Sequence, residues 1–362
     1  MNSRNLIILG CCLVFATGVV VTLYAASNKI VHEKNSFLRD YRKFAAIKAN
    51  ELDVEFNSWY IAGVTDEHVY LGNIMAPMRL LVTNLTLTDT QHVRLRIKDT
   101  EDPAIYVKTR IKINPPYFYI ADGTRPVLFR GTLGEWEAER FMYDKAYFTQ
   151  ATPMGNNSFA IRTNSPATLD NILGKVRNDT PHVVLDSTLL VKQVDGIFCT
   201  DGELLYNKDL DKLVYTYYYR NGFVVSDTNL NLAYRGHTLD TFMQAQIKVG
   251  HIKSEKVSKL TYKKTINKST SASGNNLFIH SGLLAKNDVD DLLDRVAIVD
   301  VYDLRNDAYR FSFIVPHLGL EKNKMRNFMI LNNKTLVALH DHHLVRYDLK
   351  QNFFADDARE GI

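Results

Sequence analysis

Ile298-Val299-Asp300-Val301-Tyr302-Asp303-Leu304 returns 45 residues later as His343-Leu344-Val345-Arg346-Tyr347-Asp348-Leu349. Both copies are rich in β-branched and aromatic residues, which suit a pleated surface. Each follows another apolar strand, Leu277-Phe278-Ile279 before the first and Thr335-Leu336-Val337-Ala338-Leu339 before the second. A period of 45 residues is close to that of one four-stranded propeller blade, ~40–50 residues. Phe56 to Leu349 spans 294 residues, room for six blades, or seven, at about 45–50 residues each. A single small sheet cannot bury both of its faces. Radial stacking buries them and leaves only short, protected edges. Two packed β-domains are the alternative architecture.

Working outward, the same strand-and-turn texture fills the body. Val69-Tyr70-Leu71, Arg79 to Val82, Val93 to Ile97, Tyr117 to Ile120, Ser158 to Ile161, Val183 to Leu185, Leu213 to Tyr219, Phe223 to Val225 and Tyr309 to Val315 read as strands. Asp122-Gly123, Asp195-Gly196, Asp201-Gly202 and Asn221-Gly222 supply turn chemistry. The one further helical pattern is short, around Asp288 to Leu293. The body is all-β.

The N-terminus differs. Leu6 to Ser27 is an uncharged run of 22 residues. At ~1.5 Å per helical residue it reaches the ~30 Å thickness of a hydrocarbon core. It exceeds the ~7–15 apolar residues of a signal peptide, so we read it as an uncleaved signal anchor. A cleaved signal peptide, ending at Ala25-Ala26-Ser27, and a lipoprotein signal at Ile8-Leu9-Gly10-Cys11 are the other readings. The sequence thus divides into an anchor over 1–28, a basic helical stalk over 29–55 and a propeller over 56–362. The stalk reading rests on Val31, Phe37, Leu38, Tyr41, Phe44, Ala45, Ile47 and Ala49, which recur at roughly helical spacing among charges. Its basic residues could rest on anionic headgroups.

Charge is unevenly distributed. Residues 1–50 hold seven Lys and Arg against two acids, +5, while the whole chain is +4, leaving −1 for 51–362. A neutral body argues against nucleic-acid binding, which needs a basic face. Arg4 favours a cytoplasmic N-terminus and Lys29, Lys34, Arg39, Arg42 and Lys43 oppose it. A short head before a long C-terminal domain places the body on the extracytoplasmic side of the inner membrane. Beyond the anchor Cys199 stands alone, so the body has no intrachain disulfide.

Trp59-Tyr60-Ile61-Ala62-Gly63, Val69-Tyr70-Leu71-Gly72-Asn73, Asp89-Thr90-Gln91-His92-Val93, Tyr234-Arg235-Gly236-His237-Thr238-Leu239-Asp240 and the 298–304 segment resemble stretches of uncharacterised, membrane-anchored proteins of Bacteroidota. Those proteins look like relatives of the TolB-like six-bladed propellers. The resemblance implies a propeller in the cell envelope and brings no active-site residues.

Several clusters could carry chemistry. His340, His342 and His343 surround Asp341, and alternation would let His340 and His342 share a metal. The cluster also lies where a hairpin turn with exposed polar residues is needed. Tyr215, Tyr217 and Tyr219 alternate with Tyr218, as either core or a stacking platform for a sugar or peptide. Lys253 to Gly274 reads as a solvated basic loop, or as a surface for an acidic partner or lipid. Asp99, Glu101 and Asp102, and Asp288, Asp290, Asp291 and Asp294, are acidic groups without calcium-loop spacing. Serine-hydrolase elbows, phosphate loops, zinc-protease and Cys-x-x-Cys motifs are missing from the sequence. No cofactor is implied. The expected function is a non-catalytic module binding an envelope protein or a small ligand, with an envelope hydrolase or lyase built from funnel loops as the rival.

Overall fold

The computed structural model describes residues 3–31, 33–98, 108–143, 146–252, 257–319 and 323–354. An apolar helix, α1 (Ser3–Val31), comes first. Its segment Ile7–Tyr24 has a mean hydropathy of 2.4 and no residue packed inside the fold. It is long and apolar enough to cross a membrane. Two four-residue helices, α2 (Leu292–Arg295) and α3 (Gln351–Phe354), complete the helical content of the described residues.

All else is strand and turn, arranged as six blades. Strand β1 (Ala46–Asp53) precedes the first, which contains β2 (Trp59–Val64), β3 (His68–Asn73), β4 (Arg79–Asn84) and β5 (Thr90–Arg94). After β6 (Arg96–Ile97) the second blade contains β7 (Arg110–Asn114), β8 (Tyr117–Asp122), β9 (Val127–Thr132) and β10 (Glu137–Tyr143), with β6 added parallel to β10. The third holds β11 (Gln150–Met154), β12 (Ser158–Asn164), β13 (Asn171–Arg177) and β14 (Val183–Asp186). The fourth holds β15 (Gly202–Asn207), β16 (Lys212–Tyr217), β17 (Phe223–Asp227) and β18 (Leu232–Gly236). A separate hairpin of β19 (Ile247–Ile252) and β20 (Val257–Lys263) follows. The fifth blade is β21 (Asn267–Ser273), β22 (Asn276–Ser281), β23 (Val296–Asp303) and β24 (Ala308–Pro316). The sixth is β25 (Asn327–Leu331), β26 (Thr335–Leu339) and β27 (His343–Leu349), completed by β1.

The repeated sequences are β23 and β27, the third strands of consecutive blades. The ring closes through the first strand of each blade: β2 lies beside β7, β7 beside β11, β11 beside β15, β15 beside β21, β21 beside β25, and β25 beside β2. Between blades the sheets bury apolar faces. Phe278, Val299, Val301 and Phe313 of blade five pack with Phe328, Val345 and Tyr347 of blade six.

The helical stalk over 29–55 is corrected. Helix α1 ends at Val31, the chain past Glu33 is extended and bent, and Ala46–Asp53 is strand β1. It pairs antiparallel with β27, from Ala46 opposite Leu349 to Asp53 opposite His343. The apolar spacing fitted a helix, but the open edge of β27 offers backbone partners that local periodicity cannot reveal. Nor is Arg39 free for headgroups. Its guanidinium is buried, 2.8 Å from both Asp288 Oδ2 and Asp300 Oδ1, and Tyr41 donates to Asp288 Oδ1 at 2.7 Å. This latch fastens residues 33–45 along blade five.

The solvated-loop reading of 253–274 is also overturned where the residues are described. Val257–Lys263 is β20, and Asn267–Ser273 is the innermost strand of blade five. Lys253, Glu255 and Lys256 lie outside the described residues. Short hydroxyl side chains suit the crowded inner strand: Ser271 Oγ accepts from Ile330 N and Ser273 Oγ from Asn333 N, both at 2.9 Å.

Candidate binding funnel

First strands of neighbouring blades form no ladder with each other, so their inward N–H and C=O groups need other partners. Side chains supply several. Ile111 N donates to Tyr60 Oη at 2.7 Å, joining β2 to β7. Gln150 Nε2 donates to Gly202 O at 2.6 Å while Gln150 Oε1 accepts from Leu204 N at 2.9 Å, joining β11 to β15. Glu203 Oε2 accepts from Thr270 N and Thr270 Oγ1 at 2.7 and 3.0 Å, joining β15 to β21.

These strands surround a cavity of about 610 Å³. It opens at the end where the first strands begin, here the upper end. The antiparallel order also brings there the loop between second and third strands of each blade and the connections between blades. Lys108, Arg110 and Lys112 line it on one side, Glu203 and Tyr218 on another, with Gln150, Thr152 and Asn327 between.

Burial dominates the electrostatics. Desolvation pushes the Lys112 ammonium below the ordinary lysine range; Glu203 partly offsets this, and Arg110 adds to it. Burial raises the Glu203 carboxyl, against the two bonds from Thr270 and the charge of Lys112. The Tyr218 hydroxyl is raised by burial and by the nearby Glu203 and Asp201 charges. Tyr60 is pushed up to about 12, chiefly by burial. Among the described residues no hydrogen bond or ion pair ends on Lys112 Nζ. The funnel therefore holds a half-buried cation with no hydrogen bond or ion pair of its own among the described residues, beside the Glu203 carboxylate, whose Oε2 is engaged by Thr270.

The tyrosine run divides between both readings. Tyr215, Tyr217 and Tyr219 are buried in the core, and Tyr218 turns into the funnel. The histidines take separate places. The chain turns tightly after β26, with His340 N bonded to His343 O at 2.8 Å, as a hairpin requires. His340, expected to be exposed, is fully buried, its Nδ1 3.0 Å from Asn323 O. His342 Nδ1 lies 3.0 Å from Glu55 O, and His343 Nε2 3.5 Å from Glu51 Oε1. Among the described residues no group of three or more His, Cys, Asp or Glu side chains is placed to hold a metal ion.

His340 instead neighbours two other histidines. His280, on β22, is buried and neither ring nitrogen has a hydrogen-bond partner in the protein. Burial first, then Lys268, His317 and His340, hold its pKa far below the usual value. Burial likewise lowers His317, to about 4.

Of the acidic groups, Asp288 is buried in the Arg39 latch, against the expectation of a solvated face. Asp290 pairs with Lys34 at 2.8 Å and Asp291 with Arg295 at 2.8 Å. Asp99, Glu101 and Asp102 lie outside the described residues. Sequence reasoning missed Lys112 and Glu203. The alternation Arg110-Ile111-Lys112-Ile113 does mark a strand with one apolar and one polar face. It does not say that the polar face lines a cavity.

Comparison with protein-family models and with curated proteins finds no match. Solved structures do match. A member of the DUF4221 family from Bacteroides vulgatus is 11% identical with a TM-score of 0.50, over 88% of this chain and 99% of that one. A protein of unknown function from Bacteroides thetaiotaomicron is 10% identical with a TM-score of 0.48, over 87% and 76%. TolB from Acinetobacter baumannii is 10% identical with a TM-score of 0.38, over 78% and 63%. The chain shares a fold with the Bacteroides vulgatus protein. The likeness to uncharacterised proteins of Bacteroidota read from the sequence is found again in structure with the Bacteroides vulgatus protein, and at such identity it concerns the fold alone.

Proposed function

We propose that this chain is a membrane-tethered propeller of the cell envelope that binds a small anionic ligand in its funnel without transforming it. In this reading α1 remains attached as the anchor and the propeller stands on the extracytoplasmic side. The unpartnered ammonium of Lys112 carries the proposal. A half-buried cation with no protein partner is costly unless something else satisfies it, and a carboxylate or phosphate does so. The funnel's volume of about 610 Å³ suits a small molecule. Arg110 and Lys108 add positive charge, and Tyr218 offers a hydroxyl and a flat face.

One observation favours an enzyme. Lys112 is displaced downward and Glu203 upward, each toward its neutral form, as in a general acid–base pair. Against it, the funnel lining among the described residues offers one carboxylate and neither histidine nor cysteine.

Calorimetric titration of the full chain in detergent with citrate and galacturonate tests the binding reading. Wild type should bind at least one of them, and Lys112→Gln should weaken that by about tenfold or more, the worth of a charged hydrogen bond of ~1.5–3 kcal/mol. Equal affinity in both proteins overturns the assignment, and appearance of a new product during titration moves it to the enzyme. Protease protection of the body in intact spheroplasts would contradict the extracytoplasmic placement.

A further inference from the structure

The exposed apolar side chains of the propeller are not spread evenly. Phe56, Met75, Tyr147, Leu169, Met243 and Val289 all lie on upper-end loops, three of them within or between the first four blades, and Met75 is 82% exposed. At the lower end, among the described residues, the turns expose only Phe44 to a comparable degree. Scattered exposed apolar residues are ordinary. A ring of them on successive loops at one end of a fold marks a surface that meets something apolar.

The same end receives the helix. Asn35 N donates to Leu284 O at 3.0 Å and Asn35 Nδ2 to the same oxygen at 2.9 Å. Leu284 lies in the upper-end loop between β22 and β23. From Val31, the last residue of α1, to Asn35 is four residues of chain, at most about 14 Å when extended. Basic charge gathers there too. Among the described residues, Lys248, Lys259, Lys263 and Lys264 belong to the β19–β20 hairpin and its exit, and Lys264 Nζ pairs with Glu33 Oε2 at 3.3 Å. The β19–β20 hairpin is thereby fixed beside the point where the helix ends.

We infer that the upper end of the propeller lies on the lipid bilayer, its apolar loop residues entering the headgroup layer and the lysines of the β19–β20 hairpin facing anionic lipids. The inference rests on the reading of α1 as a membrane anchor. Tether length points to the occupant: from Tyr24, where the apolar segment ends, seven helical residues (about 10 Å) and four extended ones (about 14 Å) reach Asn35, and the headgroup layer takes up part of that span, so the bilayer is the surface this face is held against. Apolar side chains beside lysines are the combination by which proteins rest on anionic membranes. The funnel, opening at this end, then faces the headgroup layer rather than bulk solvent.

The test uses the full chain with Cys11→Ser and Cys12→Ser, in nanodiscs of phosphatidylglycerol and phosphatidylcholine containing a headgroup nitroxide lipid. Cys199 is buried, so a fluorophore can be placed singly at Met75→Cys or Met243→Cys above, at Thr86→Cys or Lys208→Cys below, and at Tyr24→Cys in the helix. The account expects severalfold stronger quenching at 75 and 243 than at 86 and 208. Strong quenching at 24 with equally weak quenching at the other four positions overturns the docking and leaves the anchor reading intact. It would also free this face for a protein partner. Absence of quenching at 24 overturns the anchor reading and the docking with it.

Discussion

The two ends of the propeller are built from the same strands by different means. At the lower end the chain turns tightly and bonds to itself. Asp227 Oδ1 accepts from Asn229 N and Asn231 N at 2.9 and 2.8 Å, and Asn207 Oδ1 accepts from Asp209 N at 3.0 Å. Left-handed residues such as Asp211, Asp307 and Asn333, with φ of 51°, 61° and 54°, complete these turns. The upper end has such turns too, as where Asn73 Oδ1 accepts from Met75 N at 2.9 Å, and adds side-chain bonds between residues far apart in sequence that tie in the N-terminal segment and the blade connections. Arg39 reaches Asp300, Asn267 Nδ2 donates to Tyr217 O at 2.8 Å, and Asn35 reaches Leu284. Local turn chemistry holds register and leaves little surface to spare. Loops held by tertiary contacts can carry a funnel, an apolar rim and buried charges together.

Breaking one upper-end latch should therefore cost far more than breaking one lower-end turn. Arg39→Met leaves Asp288 and Asp300 buried without their cation, and should lower unfolding free energy in urea by about 3–5 kcal/mol. A loss no larger than that of a surface change would show that the latch is not structural.

A second difference is between charges that bind and charges that fold. Ligand affinity should need the Lys112 ammonium, so it should fall as pH rises through a value below that of an ordinary lysine. The positive form exists below that pKa and is lost above it. Lys112→Arg, whose charge persists, should remove this pH dependence. Affinity that stays flat with pH in wild type would place the recognition elsewhere.

The histidines sharpen the contrast on stability. The folded pKa of His280 is depressed, so its neutral form stabilises the protein above the unfolded value near 6.5. That contribution is lost as pH falls through the folded value, with His317, titrating at about 4, acting in the same direction. His280→Phe should flatten the acid limb of a stability–pH curve and change stability at pH 7 by about 1 kcal/mol or less, since no protein hydrogen bond is lost. An unchanged acid limb would remove His280 from the account. The smallest effect belongs to the lower end. Asp227→Ala should cost about 1 kcal/mol in thermal unfolding, and only above the depressed carboxyl pKa, where the charged acceptor exists.

How much of this was legible in the sequence follows the same division. The repeat at Tyr302 and Tyr347 revealed the blades because β23 and β27 occupy the same place in neighbouring sheets, with the same burial demands. Closure of the ring was not legible. In β1 the exposed Lys48 and the half-buried Asn50 carry no strand signal, and its partner β27 lies almost 300 residues away. Arg39 counted as a stalk charge because no local pattern announces Asp300. Tyr218 was separated from its neighbours by alternation, but only the closed ring shows that its side of the strand opens on the funnel.

The central claim is that function resides at the upper end, in the funnel. Hydrogen–deuterium exchange on the full chain in nanodiscs, with and without saturating citrate, tests it most directly. Added protection is expected in β7, in β15 and in the loop carrying Tyr218, with the turns at Asn207, Asp227 and Asn333 unchanged. Protection confined to those turns, or none anywhere while citrate binds, would contradict it.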